Sequence, residues 1–168
     1  MPRFPSFPNP VDEVSARLVA GGVVVLAGCF AVTGWTPIAA LLAYGFLARV
    51  LAGPRLSPLG LLVTRGVRPR LPLEARLVPG PPKRFAQGIG ALLSTLALVL
   101  ALAGAGAAAR GVTTMIVAAA ALESLAGFCV GCAIFGVLMR RGIVPESVCA
   151  TCNDITLRTR HDAPVRTR

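Results

Sequence analysis

The stretch FAQGIGALLSTLALVLALAGA, residues 85–105, decides the fold class. It contains no charged side chain, and a helix of about 20 apolar residues is long enough to cross the hydrocarbon core of a bilayer. Hydrophobic residues make up 55% of the chain and charged residues only 14%, whereas a soluble domain has about 25% charged residues. A soluble fold of 168 residues could not bury that much apolar surface. The sequence therefore predicts an integral membrane protein, with the lipid bilayer as its solvent.

Three further apolar blocks predict three further spans. The link between the first two is the short Gly34-Trp35-Thr36, which predicts an antiparallel hairpin. The predicted fold is an all-α integral membrane bundle of four transmembrane helices. The predicted spans are residues 14–33, 36–52, 84–105 and 112–138, within a transmembrane domain at 1–140 that is followed by a C-terminal segment at 141–168.

Basic residues are distributed very unevenly between the two sides of the predicted bundle. Of the 17 Lys and Arg residues, only Arg110 falls on the side of the turn between the third and fourth blocks. The positive-inside rule assigns the crowded side to the cytoplasm. Since four spans return the chain to its starting side, both termini are expected in the cytoplasm, in a multi-pass protein of the cell (inner or plasma) membrane. The basic residues lie between apolar blocks rather than on one face, so no nucleic-acid partner is expected.

Four of the five cysteines form two C-x-x-C pairs. Cys129 and Cys132 close the fourth apolar block, and Cys149 and Cys152 lie in the C-terminal segment, which also carries a basic tail. A C-x-x-C spacing places two sulfurs within bonding reach and can lower the pKa of one thiol. A cytoplasmic location argues against a permanent structural disulfide. The leading hypothesis is a membrane component of thiol–disulfide or sulfur-transfer chemistry at the cytoplasmic face, with all four cysteines as candidate redox thiols.

The same four cysteines permit two other interpretations. The spacing C-x2-C-x16-C-x2-C is also that of a tetrahedral four-thiolate site, so Cys129, Cys132, Cys149 and Cys152 are candidate ligands of zinc or iron in a non-catalytic membrane scaffold. In the simplest interpretation, Cys129 and Cys132 are small packing residues in a crowded helix.

Glu123 is the only acidic residue inside a predicted span. An ionisable group near the middle of a span is costly and is a functional candidate for that reason. Tyr44, Ser94 and Thr95 are predicted to lie at a similar depth. One hypothesis is a structural cluster in which a protonated Glu123 is hydrogen-bonded to them. The other is a proton or substrate site in a small transporter subunit, which would form a homo-oligomer because four spans are few for a transporter.

Three stretches carry a family resemblance: GPRLSP at 53–58, KRFAQGIG at 83–90 and GFCVGC at 127–132. Together they resemble a bacterial membrane-protein family catalogued as domain of unknown function 4395, over roughly residues 10–140, and the F-C-x-G-C ending is the most specific part. The resemblance implies a four-span membrane domain. It also implies an association with thioredoxin-like and sulfurtransferase proteins as partners, but no established activity. Cys149 and Cys152 lie beyond the shared part.

Overall fold

The computed structural model describes residues 9–145 and 148. Short strand β1 (Val11–Asp12) leads directly into α1 (Glu13–Thr33), and α2 (Thr36–Ala52) follows after a two-residue turn. The chain then passes through a 3-10 turn (Gly53–Arg55), the short α3 (Pro58–Leu61), a π-helical turn (Leu62–Val67), a second 3-10 turn (Arg68–Arg70) and strand β2 (Leu77–Val78). The last three helices are α4 (Gly80–Leu102), α5 (Gly106–Ala126) and α6 (Val130–Arg140).

In the described part of the chain, four helical stretches are long and apolar enough to cross a membrane: α1, α4, α5 and the stretch Thr36–Arg70 that begins with α2. The predicted all-α membrane bundle of four spanning helices is confirmed. The apolar helix α6 has only 11 residues, which extend about 17 Å at 1.5 Å per residue and do not reach across a hydrocarbon core of about 30 Å.

The four spanning helices form a ring in which sequential helices run in opposite directions. α1 packs most extensively against α5 and α2 against α4, while α4 also contacts α5 and α1 contacts α2. The starts of α1 and α4 therefore meet the ends of α2 and α5 at one end of the bundle. Side chains of Arg17, Arg49, Lys83 and Arg84 bridge neighbouring helices there. We call this end of the bundle the basic end.

A small antiparallel ladder ties the start of α1 to the loop before α4. Val11 pairs with Val78 and Asp12 with Leu77. Asp12 caps α1 by accepting hydrogen bonds from the backbone N–H groups of Val14 and Ser15, and Arg68 Nε donates to its Oδ2 at 2.7 Å. Burial raises the pKa of the Asp12 carboxyl, but the hydrogen bonds from Arg68 and Ser15 outweigh it and hold the pKa below its ordinary value. Asp12 is thus a charged cap and ion partner at neutral pH.

The helices approach closely because small residues lie at their contacts. The central core cluster combines Ala27, Ala91 and Ala120 with the larger Leu42 and Phe46. Gly90 of α4 lies directly against the Phe46 ring of α2, where a Cβ atom would overlap the ring edge. Large apolar side chains such as Leu92 and Leu125 point outward and are 70% and 81% exposed. Their exposure is that expected of residues that face lipid.

The fourth apolar block is not a single helix, and the predicted continuous span 112–138 is corrected here. Gly127 adopts a left-handed conformation with φ of 68° and donates its backbone N–H to Glu123 O, so α5 ends at Ala126. Cys129 is extended and begins α6. Helix α6 then folds onto α4, where the absent Cβ of Gly131 would lie 2.6 Å from Cα of Ala86. The hydropathy pattern could not reveal this break because glycine is common within membrane helices.

Replacing Gly90 with Ala should destabilise the bundle, because the added methyl group overlaps the Phe46 ring. We expect the free energy of unfolding in detergent micelles to fall by about 1–3 kcal/mol, the usual cost of overpacking. Gly88→Ala is the matched control on the same helix, since a Cβ there meets nothing within 4 Å. Equal stability of the two variants would contradict the close α2–α4 contact.

Candidate functional site

Cys129 occupies the N-cap position of α6. Its Sγ accepts a hydrogen bond from the backbone N–H of Cys132 at 3.3 Å. The first N–H groups of a helix have no intrahelical acceptor and carry the positive end of the helix dipole, so a negatively charged cap is favoured there. Cys129 is buried, with 8% of its surface exposed, and Cys132 is half-buried. The two cysteines thus occupy chemically different positions.

The surroundings shift the pKa values of the two thiols in opposite directions. The hydrogen bond from the Cys132 side chain holds the pKa of the Cys129 thiol below its ordinary value, and the Lys83 ammonium adds to this, although burial and the Glu123 carboxylate oppose it. The hydrogen bond to Cys129 raises the pKa of Cys132, and burial raises it further. The pKa of Cys129 is therefore shifted down and that of Cys132 up.

Both cysteines line a cleft of about 490 Å³ at the basic end. The cleft lies between the first turn of α4, the break after α5 and the inner face of α6. Phe135 of α6 packs against Phe85 of α4 with ring centroids 5.5 Å apart, which holds the two helices together beside the cleft. Lys83 and Arg140 also line it. We call this space the thiol cleft.

A buried ion pair adjoins the cysteines. Lys83 Nζ lies 2.6 Å from Glu123 Oε1, and the two side chains are 10% and 16% exposed. Both charges act on both thiols. Lys83 was not among the functional residues predicted from the sequence. Two signals distinguish it: it is the only lysine among 17 basic residues, and it begins the stretch KRFAQGIG that carries part of the family resemblance.

The predicted cluster of Glu123 with Tyr44, Ser94 and Thr95 is corrected by the structure. Tyr44 is exposed and donates to the Leu56 carbonyl at 3.3 Å, Ser94 donates to the Ala91 carbonyl of its own helix, and Thr95 is exposed. Glu123 lies one turn from the end of α5, not near the middle of a helix, because the chain breaks at Gly127. Its partner is accordingly a residue of the first turn of α4.

The second cysteine pair, Cys149 and Cys152, lies outside the described residues. Within residues 9–145 and 148, no group of three or more His, Cys, Asp or Glu side chains is close enough to hold a metal ion. Cys129 and Cys132 alone supply two cysteine side chains. The four-cysteine zinc or iron site therefore stays a prediction.

A double-mutant cycle should show that Lys83 and Glu123 stabilise the fold as a pair. Glu123→Gln should lower the free energy of unfolding by about 3–5 kcal/mol, because it leaves a buried ammonium unpaired. Lys83→Gln should lower the free energy of unfolding by less than Glu123→Gln does, since Arg49 also attracts the Glu123 carboxylate. The double variant should lose less than the sum of the two single losses. Unfolding in detergent micelles measures all three values.

The pair Arg76 and Glu13 is the matched control for this cycle. Like Lys83 and Glu123, these two residues form a cation–glutamate pair at the basic end, with Arg76 Nε 3.2 Å from Glu13 Oε2. The Arg76 side chain, however, is 68% exposed. Its coupling should stay below about 1 kcal/mol, as for other exposed pairs. Equal coupling in the two pairs would contradict the buried character of Lys83 and Glu123.

Comparison with known proteins supports one assignment. No curated protein and no solved structure gave a significant match. A family model described as "Domain of unknown function (DUF4395)" matches residues 11–140. The match begins in β1 and ends with α6, so it includes the spanning helices, the buried ion pair and the pair Cys129 and Cys132. The family resemblance noted in the sequence is thereby confirmed, and the chain belongs to the DUF4395 family.

Proposed function

We propose that this protein is a membrane component of thiol–disulfide exchange, with Cys129 as the attacking thiolate and Cys132 as the resolving thiol. One observation carries the proposal: Cys129 caps α6 and its sulfur accepts the Cys132 backbone N–H, on the wall of the thiol cleft. A thiolate is the nucleophile in disulfide exchange, and a helix N-terminus favours it. The bundle thus presents a polarised C-x-x-C pair in an accessible cleft.

The proposed exchange has two balanced steps. The Cys129 thiolate attacks one sulfur of a partner protein's disulfide, the partner's S–S bond breaks, and its second sulfur leaves as a thiolate that takes up a proton. Cys132 then loses its proton and attacks the Cys129 sulfur. This closes a Cys129–Cys132 disulfide and releases the partner's first sulfur as a thiolate. Two electrons pass from the pair to the partner, and the reverse sequence reduces the pair.

A thioredoxin-like or sulfurtransferase protein is the proposed partner. For a sulfurtransferase, the Cys129 thiolate would attack the outer sulfur of the donor's persulfide. The S–S bond of the donor breaks, the donor cysteine leaves as a thiolate, and Cys129 carries the persulfide. Both reactions require the same nucleophile and the same open cleft, so the site supports one class of partner: a protein with a sulfur–sulfur bond to present.

Lys83 and Glu123 have distinct proposed roles beside this pair. The Lys83 ammonium lines the thiol cleft and stabilises negative charge on Cys129. Glu123 holds Lys83 in place through the contact at 2.6 Å and does not line the cleft. Glu123 is thus a positioning residue, and its negative charge limits how far Lys83 can favour the thiolate.

We further propose that the basic end faces the cytoplasm of the cell membrane, with both termini on that side. The proposal is supported by the positive-inside rule and by the concentration of buried and paired cations at this end. Arg110 lies at the opposite end of the bundle, where its Nη2 donates to Thr33 O at 3.5 Å. In that orientation the thiol cleft faces a reducing compartment, in which free thiols persist.

Trapping should identify the nucleophile. In a background with Cys29, Cys149 and Cys152 replaced by Ser, the Cys132→Ser variant should capture a thioredoxin-like protein as a mixed disulfide, because this chain then has no second thiol to resolve it. Cys129→Ser should capture none. Alkylation of Cys129 by iodoacetamide should persist at pH values below the ordinary cysteine pKa of about 8.5, since the pKa of Cys129 is lowered. Non-reducing gel electrophoresis and mass spectrometry measure both results.

Two outcomes would contradict the exchange proposal. Capture by Cys129→Ser instead of Cys132→Ser would reverse the assigned roles. Stoichiometric zinc or iron in the purified wild-type protein, with no thiol open to alkylation, would replace exchange by the four-cysteine scaffold.

Orientation can be tested by labelling single cysteines in a cysteine-free background. Cysteines introduced at the exposed positions Arg70 and Gly106 lie at opposite ends of the bundle. In intact cells, a membrane-impermeant maleimide should label only position 106, and after permeabilisation it should label both. Labelling of position 70 in intact cells would overturn the proposed orientation.

A further inference from the structure

Arg49 is a buried cation in the last turn of α2. It is 5% exposed. Its Nε donates to Gln87 Oε1 at 2.9 Å and its Nη1 donates to Ser57 Oγ at 3.1 Å, while the guanidinium lies 4.4 Å from the centre of the Phe46 ring. These partners are all neutral. Among the residues that the structure describes, no Asp or Glu oxygen lies within 4.0 Å of Arg49.

The charges around Arg49 do not balance. Glu123 attracts Arg49 at longer range, but its Oε1 is held by Lys83 at 2.6 Å. Asp12 faces the same region, yet its Oδ2 is bound to Arg68 at 2.7 Å and accepts from Ser15 Oγ. Two buried cations, Lys83 and Arg49, therefore share the single Glu123 carboxylate. Burial of an uncompensated charge costs several kcal/mol, so a counter-anion is expected where one can fit.

A cavity of about 190 Å³ adjoins this unbalanced charge and is lined by Arg49, Lys83, Gln87 and Thr64 together with mostly apolar side chains. Asp12 also lines it, with its carboxylate paired to Arg68. A cavity needs only about 10–15 Å³ to hold one water molecule, so a tetrahedral oxyanion fits. Nη2 of Arg49 makes no hydrogen bond to any residue in the described part of the chain. The planar guanidinium is suited to oxyanion binding because its N–H groups match two oxygens at once.

We propose that this cavity binds an oxyanion of the phosphate or sulfate type, with Arg49 as its charged anchor and Lys83 and Gln87 as further donors. The oxyanion is either a free ion or the headgroup of an anionic lipid. A separate apolar cleft of about 430 Å³, lined by Val25, Leu41 and Leu62, also ends at Arg49 and would accommodate an acyl chain. Arg49 and Gln87 take no part in the proposed thiol exchange, whereas Lys83 lines both this cavity and the thiol cleft.

The test is thermal unfolding of the full-length protein in a neutral detergent, with two series of additions. The first titrates inorganic phosphate against sodium chloride at equal ionic strength. The second adds phosphatidylglycerol against phosphatidylcholine at equal mole fraction. Wild-type protein should show a saturating rise of the unfolding midpoint in at least one series, because a ligand that binds only the folded state stabilises it.

Three variants make the test specific to the cavity. Arg49→Gln should weaken the apparent affinity by about tenfold or more, the loss expected for a charged hydrogen bond. Gln87→Glu should abolish the response and raise the midpoint without any anion, since it places a carboxylate at the position 2.9 Å from Arg49 Nε. Arg55→Gln removes the same charge from an exposed position of the neighbouring turn and should respond like wild type.

The pattern of responses decides the proposal and its source of oxyanion. A rise of the midpoint with phosphate that is weakened in Arg49→Gln, absent in Gln87→Glu and unchanged in Arg55→Gln supports a free ion. The same pattern with phosphatidylglycerol alone supports a lipid headgroup. If Arg49→Gln does not fold, Gln87→Glu carries the comparison with Arg55→Gln. No response in either series, or equal responses from Gln87→Glu and Arg55→Gln, would overturn the proposal.

Discussion

Gly127 stands between α5 and α6 in a left-handed conformation that only glycine adopts without strain. Arg17 of α1 reaches this turn and donates to the carbonyls of Ser124 and Leu125 at 2.9 to 3.2 Å. A cation at the C-terminal end of a helix satisfies free carbonyls and opposes the negative end of the dipole. Arg17 of α1 therefore stabilises the break between α5 and α6. Cys129 and Cys132 take their positions in the thiol cleft from this turn, because α6 begins directly after it.

The break converts one apolar block into a site. It ends α5 one turn after Glu123, which brings that carboxylate to the same level as Lys83 at the start of α4. It also starts a new helix at Cys129, so that a cysteine of an apolar segment becomes an N-cap. A continuous helix through residues 127–129 would offer Cys129 no free N–H group, because backbone carbonyls four residues earlier would accept them all.

The sequence predicts those features that depend on the composition of one segment. Four apolar blocks of sufficient length indicate four spanning helices. The C-x-x-C spacing of Cys129 and Cys132 likewise shows two cysteines close together in the chain, and the thiol chemistry inferred from it stays a prediction. The pairing of Glu123 with Lys83 depends on how two helices lie beside each other, and their 40-residue separation in sequence carries no signal of it. Counting residues along the fourth apolar block gave the wrong position for Glu123, because that block contains two helices, α5 and α6. Arg49 looked like one more basic residue at a helix end, and only the packing of Ser57, Phe46 and Gln87 around it shows its burial.

Helix α6 follows α5 in the chain but packs mainly on α4. The contact of Gly131 with Ala86 and the tilted packing of Phe135 against Phe85 hold it there. Lys83 and both thiols consequently lie on α4 and at the start of α6, while Glu123 lies on α5. The ammonium that favours a thiolate at Cys129 and the carboxylate that opposes it therefore come from different helices, and the balance between them is set by how α5 packs against α4.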